Sequence, residues 1–279
     1  MKKLNFNYVL MIAMVFTMIA CSTIEKNNSG TKSINNDLNR IALVIGNSNY
    51  ENLPKLNNVR NDAEDVANIL NQFGFHVDIY YDLNYEQTEI VVNNYLNKLS
   101  QNKNAEGFFY FAGNGNRFND RNYILPIDIN LSSDSSILSG SYSIDTFLNG
   151  LIAADNKLNI VIMDACFIEH SVTHRGLIFI SPNDNEPILN DGLDVLENFT
   201  KDIFYLQSAL PGQVAWDGIF GSRNSPFTKA LLENIIKPIN FNTIVFEIIN
   251  KTIEYTNERQ KPYYKANIFN YEDYIINNL

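Results

Sequence analysis

The sequence predicts an α/β fold in which a mostly parallel central sheet carries helices on both faces. From residue 41 onward, short continuous apolar runs alternate with segments whose apolar residues recur at helical spacing. The apolar runs lack the in-out alternation of half-exposed strands, which is typical of strands buried on both faces. Strands and helices that alternate in this way build a parallel sheet between two helical layers.

The first strand and helix illustrate the pattern. IALVIGN (41–47) is an apolar run closed by Gly46, and residues 61–74 have helical spacing. In that segment, Asn61 and Glu64 suggest a capping box at the start, and Gly74 marks the end.

The remaining elements follow in the same order. Strands are predicted over 76–83, 106–113, 157–166 and 202–209. Helices are predicted over 86–99, 144–153, 225–236 and 243–256. The stretch before residue 144 is irregular, and 167–200 has no clear period and is interpreted as a loop. Residues 40–279 are expected to form a single domain with no internal repeat.

The composition excludes some classes of partner. The chain has 279 residues, enough for a large core, and a formal net charge of −10. An acidic surface argues against nucleic acid and against electrostatic binding to anionic lipid, and fits a basic partner better. No cofactor and no metal site is predicted, and calcium dependence is left open, since no aspartate-rich loop stands out.

The N-terminus has the pattern of an export signal. Lys2 and Lys3 precede an apolar run, 9–20, that is too short to span a bilayer as a helix. TMIACS (17–22) resembles a bacterial lipoprotein signal, with Cys21 as the lipidated residue after cleavage. The expected organisation is a signal peptide (1–20), a polar tether (21–39) and a domain on an exported, membrane-anchored lipoprotein, periplasmic or at the outer surface. The alternative is a plain signal peptide with an incidental cysteine.

Two predicted strands end in unusual polar residues. FAGNGN (111–116) places Asn114 between two glycines, and MDAC (163–166) ends on Cys166. In open α/β sheets, ligands bind beyond the carboxyl ends of the strands. If Cys21 is lipidated, Cys166 is left as a single thiol, because the chain has only two cysteines.

Several motifs together resemble a known family. They are RIALVIGNSNY, LNNVRNDAEDVANIL, GFHVDIYYDLN, FFYFAGNG, RNYILPID, IVIMDAC, RGL, SALPGQVAWDG, SPFTKALLE and ERQKPYY. Their order over nearly all of 40–279 resembles the bacterial caspase-like domains of the caspase/metacaspase cysteine peptidases. The resemblance implies a caspase-like three-layer sandwich.

The resemblance also implies roles for individual residues. Cys166 matches the nucleophile of the family's Cys-His dyad, and Asn114 stands where active members carry the His. The backbone N–H groups of Gly115 and Cys166 match the oxyanion hole. Asp164 matches the acid of an Arg/Lys-binding pocket, and Asp217 is a candidate second carboxylate. The alternatives are a capping or loop-ordering role for either aspartate, and a small buried hydrophobic residue for Cys166.

Asn114 is expected to prevent efficient peptide cleavage. An imidazole activates the thiol and protonates the leaving amine, whereas an amide transfers no proton at accessible pH. Loss of a dyad member costs roughly 10⁴–10⁶ in kcat. His76 is expected to be structural, at the far end of the sheet. His170 and His174 follow Cys166 on the same predicted loop, and would need an unusual loop path to replace the missing base.

Three functions are consistent with the sequence. The first is a lipid-anchored pseudopeptidase that keeps the groove and binds basic peptides or a partner protein. The second is an active cysteine endopeptidase that cleaves after Arg or Lys. The third is a scaffold that only presents surface loops. The intact DAC sequence favours the first over the third, and Asn114 argues against the second.

Overall fold

The central sheet forms because the apolar runs are short, β-branched or aromatic, and separated by helices. A computed structural model describes residues 39–130, 132–165, 169–173, 176–180, 201–210, 214–218, 221–268 and 273–277. The strands are β1 (Arg40–Gly46), β2 (His76–Tyr81), β3 (Glu106–Ala112), β4 (Gly115–Phe118), β5 (Arg121–Ile124), β6 (Tyr142–Ser143), β7 (Leu158–Asp164), β8 (Glu169–Thr173), β9 (Gly176–Ile180), β10 (Ile203–Gln207) and β11 (Tyr263–Asn267). The helices are α1 (Val59–Gln72), α2 (Tyr85–Ser100), α3 (Asp134–Ser139), α4 (Ile144–Ala154), α5 (Pro226–Ile235) and α6 (Phe241–Tyr255).

The main sheet has six strands in the order β11-β10-β7-β3-β1-β2. The strands from β10 to β2 pair in parallel, and β11 joins the β10 edge in antiparallel orientation. The carboxyl ends of β3 and β7 therefore lie side by side near the middle of the sheet. This confirms the predicted mostly parallel α/β sheet.

Helices pack against both faces of this sheet. One set of alternate strand residues, including Val44, Tyr110 and Ile162, forms a core with α1, α5 and α6. The intervening residues, including Leu43 and Phe109, form a second core with α2 and α4. The three-layer arrangement predicted from the continuous apolar runs is confirmed, since the central strands β1, β3, β7 and β10 supply apolar side chains to both cores.

A second, smaller sheet contains much of the chain for which the sequence predicted no regular secondary structure. Its order is β6-β5-β4-β8-β9, with β4 and β8 parallel and the other pairs antiparallel. The interpretation of 167–200 as a loop is therefore wrong over β8 and β9, and the rest of that stretch lies outside the described residues. The strands of the small sheet have only two to five residues, and all except β9 mix polar and apolar residues, so they are too short or too irregular to produce a clear period.

The start of α1 also differs from the prediction. The helix begins at Val59 after Asn58, two residues before the expected start, so Asn61 and Glu64 do not form its capping box. The Asn61 side chain instead donates to the carbonyl of Arg223 at 3.0 Å. Gly74 follows the helix with φ of +79°, as expected for a glycine at a helix end.

All described residues belong to one compact unit, Leu38–Leu279. Within them, no helix is both long and apolar enough to cross a membrane. The predicted signal peptide and tether, with Cys21, lie outside the described residues.

Candidate functional site

The register of the central strands places the two sequence motifs at one edge. Ala112 of β3 is paired with Asp164 of β7. The Gly113 N–H donates to the Asp164 carbonyl at 3.2 Å, which extends the pairing one step. Asn114 and Cys166 each follow this pair by two positions in the sequence, but Cys166 itself lies outside the described residues.

The backbone of Asn114 is fixed on both sides. Its N–H donates to the hydroxyl of Tyr50 at 2.7 Å, and its carbonyl accepts from the N–H of Leu125 at 3.0 Å. The Tyr50 hydroxyl in turn donates to the Leu125 carbonyl at 3.2 Å. Gly113 has φ of +155°, and a Cβ there would lie 2.8 Å from the Tyr50 hydroxyl. A glycine is therefore required where the chain leaves β3 beside the buried tyrosine.

Asn114 lines a small pocket at this edge, of about 50 Å³. The pocket is lined by Leu56, Val59, Asp62, Gly113, Asn114, Asp164, Ala215, Trp216, Asp217 and Ser225. Three of these residues carry carboxyl groups, Asn114 and Ser225 add an amide and a hydroxyl, and the others are apolar apart from the indole of Trp216. A pocket of this volume holds a few water molecules or one compact polar head group.

Asp164 is held by hydroxyl groups at the start of α5. Its Oδ2 accepts from Ser225 Oγ at 2.5 Å and from Thr228 Oγ1 at 2.8 Å. Because the Thr228 hydroxyl donates to Asp164, the Tyr110 hydroxyl at 2.6 Å donates to Thr228. The carboxylate at the end of β7 is thus positioned by a chain of uncharged donors.

Asp62 is the second buried carboxyl group of the pocket. It lies in the first turn of α1 and is 1% exposed. Its Oδ1 accepts from the backbone N–H of Ser225 at 3.1 Å. Ser225 therefore connects the two carboxyl groups, with its N–H on Asp62 and its hydroxyl on Asp164.

Both carboxyl groups hold protons more strongly than usual. Burial, reinforced by the negative charge of Asp164, raises the pKa of Asp62 to about 9. Burial raises the pKa of Asp164 to about 6, against the stabilising hydrogen bonds from Ser225 and Thr228. The more strongly retained proton belongs to Asp62, because Asp164 has more hydroxyl donors to stabilise its charge.

Asp217 lines the pocket but its carboxylate is engaged in local structure. Oδ2 accepts from the N–H of Asn57, and Oδ1 accepts from the N–H of Asn58 at 3.1 Å. The Asn58 side chain donates back to the Asp217 carbonyl at 2.6 Å and to Ser222 Oγ at 3.1 Å. The Asp217 carboxylate thus binds the backbone at the N-terminal end of α1.

Gln260 positions the indole wall of the pocket. Its side chain is fully buried, accepts from the backbone N–H of Trp216 at 3.0 Å and donates to the Ser208 carbonyl at 2.8 Å. The guanidinium of Arg259 lies 5.4 Å from the centre of the Trp216 ring. The segment 214–218 is therefore tied to the end of β10 through one glutamine.

The structure brings together most of the predicted site residues that it describes. Asn114, Asp164 and Asp217 line one pocket, and Gly115 begins β4 directly beside it. His76 lies at the opposite end of the sheet, at the start of β2, as predicted.

The backbone of His170 lies in β8, on the strand that pairs with β4. Since Glu169 is paired with Arg117, His170 is in register with Phe118. That position is three residues beyond Gly115, roughly 10 Å along the strand. His174 lies outside the described residues.

Asp62, Trp216, Ser225 and Gln260 were not identified from the sequence. One signal for Asp62 was available: it lies between Val59 and Val66 on the apolar face of α1. A charged residue at a buried helical position needs a partner or a function. Within the described part of the chain, no group of three or more His, Cys, Asp or Glu side chains is arranged to hold a metal ion.

The fold and the pocket define a class of protein: a three-layer α/β domain of the peptidase type, with polar residues at the carboxyl ends of two central strands. The chain belongs to the caspase domain family, whose model matches residues 39–271.

Two curated proteins are similar to the chain over most of its length. It is 24% identical over 237 residues to mucosa-associated lymphoid tissue lymphoma translocation protein 1 of Homo sapiens, covering 82% of this chain and 26% of that protein. It is 23% identical over 209 residues to the homologue in Mus musculus, covering 75% of this chain and 23% of that protein. The chain therefore spans about a quarter of the length of these relatives.

Proposed function

We propose that this chain is a caspase-fold pseudopeptidase that binds an Arg or Lys side chain of a peptide or partner protein without cleaving it. The observation that carries the proposal is the pocket itself: Asp62 and Asp164 lie buried in its wall beside Asn114. A guanidinium or ammonium group is the natural complement of buried carboxylates.

The charges of the pocket support a cationic ligand. Within the described residues, neither Asp62 nor Asp164 forms a salt bridge, and the hydrogen bonds they accept come from uncharged groups of Ser225, Thr228, Ser208 and Asn224. A cation that enters the pocket therefore meets two carboxyl groups that lack a positive partner. Burial strengthens such an interaction, because the surrounding dielectric constant is low.

The same site is poorly equipped for proteolysis. Asn114 stands at the position of the family's histidine, and its amide transfers no proton. The register of β8 places His170 away from this strand end, which argues against its use as a substitute base. We therefore assign Asn114 and Gly115 to the floor of a binding groove, with Cys166 as the former nucleophile position.

Binding is tested with the fluorescence of Trp216, because this is the chain's only tryptophan and it lines the pocket. Short peptides with a central Arg or Lys should change its emission, and matched peptides with citrulline or Asp should not. Asp164→Asn should weaken Arg-peptide binding at least about tenfold. The control Glu254→Gln changes an exposed charge on α6 and should bind as the wild type does.

Cleavage is measured on the same peptides by mass spectrometry. The wild type should leave them intact. If the wild type cleaves the peptides and Cys166→Ala abolishes the cleavage, the chain is an active endopeptidase instead. If none of the peptides binds, the result favours the third function, a scaffold that presents surface loops.

We further propose that Cys21 carries lipid and anchors the domain to a bacterial membrane. Support comes from the sequence TMIACS (17–22) and the short apolar run before it. Intact-mass analysis of protein purified from membranes should give a chain that begins at Cys21 with added acyl mass. A chain that begins at another residue without acyl mass would refute the anchor.

A further inference from the structure

The two buried carboxyl groups of the pocket are close neighbours. Ser225 contacts both, with its N–H 3.1 Å from Asp62 Oδ1 and its hydroxyl 2.5 Å from Asp164 Oδ2. Asp62 is 1% exposed and Asp164 is 8% exposed. Two carboxylates that share one residue in a buried site repel each other strongly when both are ionised.

In the described part of the chain, the groups around the pair do not relieve this repulsion. Asp217 of the 214–218 segment adds a third negative charge, and the hydroxyl of Tyr110 on β3 is neutral because burial raises its pKa well above the usual value. Arg223 lies on the neighbouring loop, but its guanidinium binds Asp65, with Nε 2.7 Å from Oδ2. The ligand-free pair therefore keeps a proton in place of a positive partner.

We propose that a guanidinium or ammonium group enters this pocket in exchange for a proton, so that binding releases one proton from the Asp62–Asp164 pair. The inference rests on the proposed function, because it concerns the same pocket and the same class of ligand. The proton passes from the carboxyl oxygen to solvent, the cation forms an ion pair with the resulting carboxylate, and no covalent bond to carbon changes.

Asp62 is the group that gives up the proton. Asp164 already accepts hydrogen bonds from two hydroxyl groups, which stabilise its ionised form. Asp62 accepts from the Ser225 N–H and from Asn224, and the Asn224 amide also donates to Asp65 at 2.9 Å. The less stabilised carboxylate retains the proton until a cation replaces it.

Proton exchange makes the affinity depend on pH. The slope of the logarithm of the association constant against pH equals the number of protons released, so one proton gives about a tenfold gain per pH unit. The gain is expected between about pH 6 and pH 9, where the pair is still protonated without a ligand. At lower pH both carboxyl groups of the pair are protonated, and the pair should then hold a cation only weakly.

The test is titration calorimetry with acetyl-arginine methylamide as the probe, at pH 7.5, in two buffers of different ionisation enthalpy. The difference in apparent binding enthalpy gives the number of protons that leave the protein. About one released proton is expected for the wild type and for the control Glu254→Gln. Asp62→Asn should release less than half a proton, and its affinity should change less than threefold between pH 7 and pH 9.

The outcomes separate the two proposals. Binding of the probe with no proton release in the wild type would overturn proton exchange and leave the cation pocket standing. If the probe does not bind at any pH between 6 and 9, both the proton exchange and the cation pocket are overturned. A ligand-free titration of Trp216 emission gives an independent readout: a transition between about pH 6 and pH 9 that Asp62→Asn removes supports the proposal, and an identical profile in both proteins contradicts it.

Discussion

Asn58 donates two hydrogen bonds to Asp217, although the two residues are 159 positions apart in the sequence. The Asn58 N–H donates to the Asp217 carboxylate, and the Asn58 side chain donates to the Asp217 carbonyl. Asn58 precedes α1 but makes no side-chain cap of its own. The first turn of the helix and the wall of the pocket are therefore one structural unit, and a change at either residue should affect both.

Asp217→Ala should loosen this unit. The variant removes the acceptor for the N–H groups of Asn57 and Asn58, which we expect to lower the free energy of unfolding by about 1–2 kcal/mol. The emission of Trp216 should shift to longer wavelength as the neighbouring segment becomes more exposed to water. Asp217→Asn keeps one acceptor oxygen and should show a smaller effect. Unchanged emission and stability in Asp217→Ala would contradict the assignment.

Asp62 should make the protein less stable as the pH rises. Its pKa is higher in the folded chain than in the unfolded chain, so the folded state binds more protons over the interval between the two values. The stabilisation is complete below about pH 4 and is lost as the pH rises toward the folded pKa. The asparagine of the Asp62→Asn variant cannot ionise, so the variant should not lose this stability as the pH rises.

The measurement is chemical denaturation of both proteins at pH 5 and pH 9. The wild type should lose about 5 kcal/mol more than Asp62→Asn over this range, because each pH unit over which Asp62 is protonated only in the folded chain costs about 1.4 kcal/mol. Equal losses would show that Asp62 ionises in the folded protein as it does in the unfolded chain.

The parallel sheet was predictable because burial on both faces leaves a strong local signal. A strand such as β3 has only buried residues and therefore forms an unbroken apolar run. The strands of the small sheet leave no such signal, since β4 (Gly115–Phe118) and β5 (Arg121–Ile124) are short and partly exposed. The edge strand β11 was missed for the same reason.

The site was predictable only where its residues follow strand ends. Asn114 and Asp164 do so, and the pairing of Ala112 with Asp164 brings them together. Asp62 and Ser225 come from the starts of two helices that are distant in the sequence, and their contact depends on how α1 and α5 pack on the sheet. Local periodicity contains no information on that packing.

Glu106 should be important for stability at the opposite end of the sheet. Its carboxylate binds Arg40 at 3.0 Å and Lys157 at 2.6 Å, and it accepts from the Tyr274 hydroxyl at 2.9 Å. Arg40 also donates to the carbonyl of Ile276, so the network joins β1 and β3 to the C-terminal residues. Glu106→Ala removes the carboxylate that binds two partly buried cations and should cost about 3 kcal/mol.

The matched comparison is Glu254→Ala, which removes an exposed partner of Lys251 on α6. It should cost about 0.5 kcal/mol or less, because solvent screens such a pair. Urea denaturation at pH 7 measures both variants. Similar costs for the two variants would show that the Glu106 network adds little beyond an ordinary surface pair.

Asn114→His should recreate a catalytic dyad if the asparagine is the part that the site lacks. The backbone at this position is fixed by Tyr50 and Leu125 and does not depend on the Asn114 side chain, so the substitution should preserve the strand end. Gly113 leaves room beside the buried tyrosine. An imidazole in this place would supply the proton acceptor and donor that a thiol at Cys166 requires.

Cleavage of fluorogenic Arg and Lys peptides measures the result. The wild type should leave them uncut, and Asn114→His should raise the rate at least about a hundredfold, the lower end of what general acid–base catalysis contributes. The double variant Asn114→His, Cys166→Ala should not cleave the peptides, which would exclude a contaminating protease as the source of the activity. If Asn114→His folds and still binds Arg peptides but does not cleave them, the chain has kept the cation pocket, but residues 114 and 166 are no longer positioned to act as a dyad. Wild-type cleavage that Cys166→Ala stops would instead require another base, and His170 and His174 would then be the residues to change.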